Sequence, residues 1–173
     1  MTSHDPRITI RDATEADVPA IAAIYEVHVL HGTASFEEVP PPLEEMQRRF
    51  REIRASGRPY LVGEIDGRVA GYAYAGPYRT RTAYRFTLED SIYLDPPMAG
   101  HGLGTALMAA LVERCKSGPW RQVVAIIGDS ANEPSIALHR KFGFVHAGTL
   151  RNVGFKHGRW LDSVVMQLTL RED

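Results

Sequence analysis

Three glycines at alternate positions, Gly100, Gly102 and Gly104, run straight into a helical pattern that begins near Leu103. Glycines at such a turn let backbone N–H groups close on a phosphate, where the start of a helix also favours negative charge. The G-x-G-x-G spacing lacks the third glycine of the dinucleotide fingerprint, and no Gly-Lys pair exists to form a P-loop. A second chemical feature is Glu89, a carboxylate inside the otherwise apolar run TLEDSIYL. Alternation places Glu89 with Ser91 and Tyr93 on one face of a strand, and Asp90 with Leu88 and Ile92 on the other. Glu89 is then either a solvated or paired strand residue, or a general base with Asp90 as the fallback. Arg79, Arg81 and Arg85 precede it. They are turn and strand charges, or guanidinium forks that recognise a carboxylate in two-point fashion. The histidines at 28, 31, 101, 139, 146 and 157 show no metal-ligand spacing, so no metal is expected. Cys115, the single cysteine, falls on an apolar helix face and reads as packing.

The elements around these residues follow from periodicity. RITIRDA alternates as a first strand, and Thr14 with Asp17 resembles a capping box opening a helix with Val18, Ile21, Ala22, Ile24 and Tyr25 inward. A loop, HGTASFEEVPPP, carries a lone Phe36, and Leu43, Met46, Phe50 and Ile53 then stripe a second helix. The period changes to two in YLVGEID, GRVAGYAYAG and YRFTLEDSIYLD, with Asp66-Gly67 marking a hairpin between the first pair. The glycine turn opens a helix with Leu103, Ala106, Leu107, Ala110 and Leu111 inward, ended by Gly118-Pro119. QVVAIIG reads as a strand covered on both faces, NEPSIALHRKFGF as a helix, and FVHAGTL and WLDSVVMQLTL as closing strands. The order β-α-α-β-β-β-α-β-α-β-β predicts an α/β fold with a mixed sheet, antiparallel first and then a strand–helix–strand with right-handed crossover.

At 173 residues with 44% hydrophobic content, the chain is expected to be a single domain, 1–173, with its core from about residue 7 to 170. A net charge of −1 and a pI near 6.7 give no footprint for nucleic acid or an anionic membrane. The start shows no apolar leader core, nothing approaches 18 consecutive apolar residues, and one cysteine excludes an internal disulfide. The expected location is the cytoplasm.

SIYLDPPMAGHGLGTALMAALVE, followed by NEPSIALHRKFGF, resembles the acetyl-CoA signature of the GNAT N-acetyltransferase superfamily. YAYAGPYRTRTAYRFTLEDSIYL and GFKHGRWLDSVVMQL are similar to its phosphinothricin and methionine-sulfoximine acetyltransferases, and the likeness runs from about Ile8 to Leu170. It implies the GNAT-like acyl-CoA N-acyltransferase fold, with a mostly antiparallel sheet and a central parallel pair flanked by helices. It also implies acetyl-CoA as co-substrate and acetyl transfer to a small amino-acid-like amine such as phosphinothricin, methionine sulfoximine or methionine sulfone.

By the same resemblance, loop amides of Ala99, Gly100, His101, Gly102, Leu103 and Gly104 hold the coenzyme pyrophosphate. The edge Ile92, Tyr93 and Leu94 pairs with the pantetheine arm, and Asn132 contacts it. The superfamily usually has Arg or Gln where this chain has Ala99, and often Lys or Arg where it has His101. The loop is therefore expected to bind by backbone and more weakly. Glu89 matches the catalytic glutamate, a Tyr93 or Leu94 N–H would serve the oxyanion, and His139 is assigned as general acid or orienter. Phe36, Arg79, Thr80, Arg81, Leu88, Glu89, Asp90, Lys156 and His157 would contact the acceptor, and a homodimer is implied. Two other readings stay open: acetylation of protein or peptide N-termini, requiring a wide groove, and a non-catalytic acyl-CoA sensor.

Overall fold

Four helices and a seven-stranded sheet make up the computed structural model, which describes residues 7–172. The first six residues, part of the stretch with no apolar leader core, lie outside the described residues, as does Asp173. The strands are β1 (Ile8–Asp12), β2 (Tyr60–Ile65), β3 (Arg68–Pro77), β4 (Thr87–Leu94), β5 (Gln122–Gly128), β6 (Val145–Lys156) and β7 (Arg159–Thr169). The helices are α1 (Val18–His31), α2 (Leu43–Ala55), α3 (Leu103–Ser117) and α4 (Glu133–Lys141). The sheet order is β1-β2-β3-β4-β5-β7-β6, and only β4 and β5 are parallel. Element order and mixed sheet are those the sequence predicts. Among the described residues no helix is long and apolar enough to cross a membrane.

Two apolar layers cover the two faces. α3 lays Leu103, Leu107, Met108 and Leu111 over Leu61, Ala73 and Leu88 on one side. On the other, Ile21, Val29 and Phe50 from α1 and α2 cover Tyr60, Val62 and Tyr72. Removing a buried Leu side chain such as that of Leu107 leaves a cavity that typically costs about 2–5 kcal/mol. The start of α1 is fixed by Asp17, whose carboxylate accepts from the Thr14 N–H at 2.8 Å and from both Arg11 terminal nitrogens at 2.7 and 2.8 Å. The Arg11 bonds hold the Asp17 carboxyl below the usual carboxylate range against the opposing effect of burial.

Three departures from the sequence reading bear on function. β4 and β5 pair only along Thr87–Asp90 with Gln122–Ala125, and beyond that the two strands part. For this reason β5 is not covered on both faces throughout: Ile126, just past the split, is 39% exposed. β6 extends to Lys156, well beyond FVHAGTL, with register shifts between His146 and Gly148 and between Leu150 and Gly154. It then turns back into β7 through His157 (φ 52°) and Gly158 (φ 74°), a two-residue hairpin of the same kind as Asp66-Gly67.

Candidate active site

Because β4 and β5 separate after Asp90, β4 carries an unpaired main-chain edge. The Asp95 N–H donates to the Ala70 carbonyl and the Thr87 carbonyl accepts from Tyr78, so odd-numbered residues of β4 direct their main chain to β3. The Phe86 carbonyl accepts from Arg121, so even-numbered ones point the other way. Past the split that other side is open, and the N–H and C=O groups of Ile92 and Leu94 face it. The Tyr93 N–H, considered as an oxyanion donor, faces β3; the Leu94 N–H faces the opening. The His28 ring donates through Nε2 to the Leu94 carbonyl at 2.7 Å, anchoring this edge from α1.

The edge borders a groove of about 360 Å³ lined by Ile92, Tyr93, Leu94, Ala99, Asn132 and Leu138, among others. Asn132 is the N-cap of α4, its Oδ1 accepting from the Ser135 N–H at 3.4 Å. At the groove's end lies the glycine turn. Gly100 (φ 86°) and Gly102 (φ 83°) occupy the left-handed region, which side-chain-bearing residues enter at a cost. Gly102 caps α3, whose first N–H groups have no intrahelical acceptor and project into the turn. His101 is exposed, and Ala99 contributes no polar side chain. A strand edge that keeps the Ile92 N–H and C=O and the Leu94 N–H open, leading to an amide-lined turn, suits a chain of amides ending in a pyrophosphate. Gly102→Ala is expected to cost about 1–2 kcal/mol of stability by forcing a Cβ into the left-handed region. Calorimetry should show weakened acetyl-CoA binding in the same variant.

On the α1–α2 side of β4 a second cavity, of about 500 Å³, is lined by Tyr25, Ser35, Phe36, Glu37, Tyr74 and Glu89 along with parts of β4 and β5. Glu89 is half-buried here. Burial first, then the Asp90 charge, push its carboxyl above the ordinary glutamate value, with Arg79 opposing. A raised pKa makes it a stronger proton acceptor than an ordinary glutamate. The Tyr25 hydroxyl meets Ser35 Oγ at 2.8 Å, and Glu37 is held by Arg49 at 2.7 Å. Tyr25, Tyr74, Ser35 and Glu37 escaped the sequence reading. Tyr25 and Tyr74 carry the period of ordinary core positions, and only their hydroxyls betray a polar cavity.

Asp90 projects to the opposite face, toward α4. Its Oδ2 lies 2.8 Å from His139 Nε2, and both residues are buried (6% and 3% exposed). His139 Nδ1–H donates to the Ser135 carbonyl at 2.7 Å. A carbonyl can only accept, so Nδ1 carries a proton and Nε2 shares a second with Asp90. Burial opposes the charged imidazole, but the hydrogen bond and charge of Asp90 prevail and hold His139 above its ordinary range. Asp90 is thereby the partner of His139 and is unsuited to be a fallback base. Asp90 Oδ1 is buried without a hydrogen-bond partner among the described residues. It borders a small, partly open space of about 40 Å³ between β4, β5 and α4. Such a polar space is large enough for ordered water, which needs roughly 10–15 Å³. Nearby Cys115 is buried, its thiol pushed up to about 12 by burial and Asp90, which makes it inert as a nucleophile.

Several residues expected at the acceptor lie elsewhere. Leu88 is fully buried under α3 and faces away from the cavity, because alternation puts it opposite Glu89. Thr80 and Arg81 are exposed on the connection between β3 and β4 and do not line the cavity. Arg79, also exposed, lies with its guanidinium 5.1 Å from the Tyr78 ring centre and is close enough to act on Glu89 by charge. Lys156 and His157 bond to the carbonyls of Ser35 and Gly32 instead of lining the cavity. Phe36 does line it. No group of three or more His, Cys, Asp or Glu among the described residues is arranged to hold a metal.

A sheet split between its parallel strands, with an amide-lined turn at one end and the half-buried Glu89 carboxylate beside the opening, can receive an acyl-CoA thioester and an amine. The acetyltransferase (GNAT) family matches residues 22–144, and the chain belongs to that family as an acetyl-CoA-dependent N-acetyltransferase. It is 55% identical over 162 residues to a phosphinothricin N-acetyltransferase of Alcaligenes faecalis, covering 94% of this chain and 82% of the relative. It is 42% identical over 163 residues to an L-methionine sulfoximine/L-methionine sulfone acetyltransferase of Pseudomonas aeruginosa, covering 94% of each. Among solved structures it is similar to a phosphinothricin acetyltransferase of Sinorhizobium meliloti in complex with acetyl-CoA. That match has 50% identity and a TM-score of 0.91, and covers 94% of this chain and 88% of the other.

Proposed function

We propose that this enzyme acetylates the free amino group of a small amino-acid-like acceptor of the phosphinothricin, methionine sulfoximine or methionine sulfone type. The observation that carries this reading is Glu89, a half-buried carboxylate of raised pKa in a cavity of about 500 Å³ that adjoins the open edge of β4. The names of the similar enzymes support the acceptor class. An amino group of pKa near 8 is mostly protonated at pH 7, so Glu89, directly or through water, takes its proton before attack. The Leu94 N–H is the donor placed for the thioester oxygen. The His139–Asp90 pair, buried with both ring nitrogens bonded, serves as an orienter of β4 against α4, and the departing thiolate takes its proton from solvent. The glycine turn and the edge residues Ile92 and Leu94 hold the coenzyme, which supplies the activated acetyl group. The cavity's wall, formed by the 32–37 loop, favours a small acceptor over a peptide lying in an open trough. The test is release of free thiol from acetyl-CoA over a panel of amino acids, their analogues and short peptides. Release with L-phosphinothricin or L-methionine sulfoximine supports the reading. Release only with peptides favours the N-terminal acetyltransferase, and coenzyme binding without any release favours the sensor.

We further infer that the protein is a cytoplasmic homodimer. The single, buried cysteine suits a reducing compartment. Val145, Leu150, Val153, Phe155 and Trp160 expose apolar side chains along β6 and the start of β7, from 53% for Val153 to 65% for Val145. Patches of this kind mark interfaces. Trp160→Asp is expected to halve the mass measured by light scattering; a wild-type monomer would contradict the dimer.

A further inference from the structure

The wall of the acceptor cavity is held from outside its own element. Residues 32–42 join α1 to α2 without regular structure, yet Ser35, Phe36 and Glu37 face the cavity. The tip of the β6–β7 hairpin fixes this loop from behind. Lys156 Nζ donates to the Ser35 carbonyl at 2.7 Å, and His157 Nε2–H donates to the Gly32 carbonyl at 3.2 Å. The Phe36 ring rests in a notch that exists because residue 154 is glycine: a Cβ there would lie 2.5 Å from Phe36 Cε2 and 2.8 Å from Cδ2. Gly128 leaves similar room, since a Cβ would strike the carbonyl oxygens of Thr33 and Ala34. Asp129 ties loop to hairpin, accepting from Thr33 Oγ1 at 3.4 Å and from Arg159 at 2.6 Å.

Lys156 stands out energetically. It is 2% exposed, and it makes no ion pair among the described residues. Buried lysines are ordinarily paired with a carboxylate, since a desolvated ammonium costs several kcal/mol. Here the bonded partner is a main-chain carbonyl on a loop 121 residues away in sequence. Burial holds the ammonium below the usual lysine range, with Glu38 and Glu37 opposing. A stabilising hydrophobe would fill the same space. What a lysine adds is a long, directional donor that fixes one carbonyl, and with it the depth of the neighbouring Phe36.

We propose that Lys156, His157 and Gly154 form a latch that sets acceptor selectivity without touching the acceptor. They hold Ser35 and Phe36 at a fixed depth, and that depth limits the acceptor side chain that fits beside Glu89. The proposal rests on the acceptor reading above, in which the cavity holds the amine. The latch makes Lys156 a positioning residue.

The test combines Lys156→Met, Gly154→Ala, Phe36→Ala and the double variant Lys156→Met/Phe36→Ala. Thiol release is measured with amino acids of graded side-chain length, acetyl-CoA affinity by calorimetry, and backbone hydrogen exchange over residues 33–38 by mass spectrometry. Lys156→Met should raise the acceptor KM about tenfold, the worth of one hydrogen bond from a charged donor. It should leave kcat and acetyl-CoA affinity near wild type, speed exchange over 33–38 and shift preference toward longer side chains. Gly154→Ala, which keeps the lysine, should push the Phe36 ring out of its notch into the cavity and shift preference toward shorter side chains, and it serves if Lys156→Met does not fold. The double variant should match Phe36→Ala alone, because both changes act through one wall. An unchanged acceptor KM and exchange rate in folded Lys156→Met would overturn the latch. So would additive effects in the double variant, or an equal loss of kcat for every acceptor. Should wild type acetylate no amine, the acceptor reading fails, and the exchange rates alone decide whether the latch holds the loop.

Discussion

Glu89→Gln is expected to lower kcat/KM for acetyl transfer by about 10²–10⁴, the usual worth of a positioned general base. Acetyl-CoA binding should be unchanged, because the glycine turn and the Ile92–Leu94 edge do not involve this side chain. The substitution keeps the shape and removes only the titrating group. The pH dependence supplies a second signature. A base works only when deprotonated, so activity should rise with pH through the raised pKa of Glu89, above the ordinary glutamate range. Removing the opposing charge with Arg79→Met should move that rising limb to higher pH.

His139→Ala is expected to be the most destabilising single change at the site, by about 3–5 kcal/mol, because it leaves the Asp90 carboxylate buried without its partner. Chemical denaturation at neutral pH measures this. Asp90→Asn should act differently, since an amide retains the shape and a hydrogen bond. Losing the Asp90 charge lowers the pKa of Glu89, so the rising limb of activity shifts to lower pH in Asp90→Asn. The pair's stability has a definite pH window. The His139 pKa is raised in the folded state, so its contribution is complete below the ordinary histidine value of about 6.5 and lost as pH rises through the raised one.

Most of the fold was legible because each element obeys one period. The Leu43, Met46, Phe50 stripe, the Asp66-Gly67 turn and the left-handed Gly102 each act locally, so sequence spacing reveals them. The location of Glu89 beside Ser91 and Tyr93 on one face likewise follows from alternation. What escaped depends on contacts between distant segments. Nothing in TLEDSIYL or QVVAIIG announces that the strands separate after Asp90, and this opening makes both the groove and the exposure of Ile126. The Asp90–His139 pair joins residues 49 apart. Lys156 and His157 of GFKHG bond to the carbonyls of Ser35 and Gly32, so residues expected to line the cavity instead hold its wall. FVHAGTL covers only the first part of β6, because its register shifts and the left-handed Asn152 break the alternation that marks a strand. Arg81 and Thr80 were assigned by family likeness, and in this chain they sit on an exposed connection.

The central claim is that Glu89 is the base for acetyl transfer to a small amino-acid-like amine. Its most direct test is the pH–rate profile for thiol release with saturating acetyl-CoA and L-methionine sulfoximine, compared between wild type and Glu89→Gln. The predicted result is a rising limb in wild type that titrates above the ordinary glutamate range and is absent from the much slower variant. Undiminished turnover in Glu89→Gln, with the same rising limb, would contradict the account.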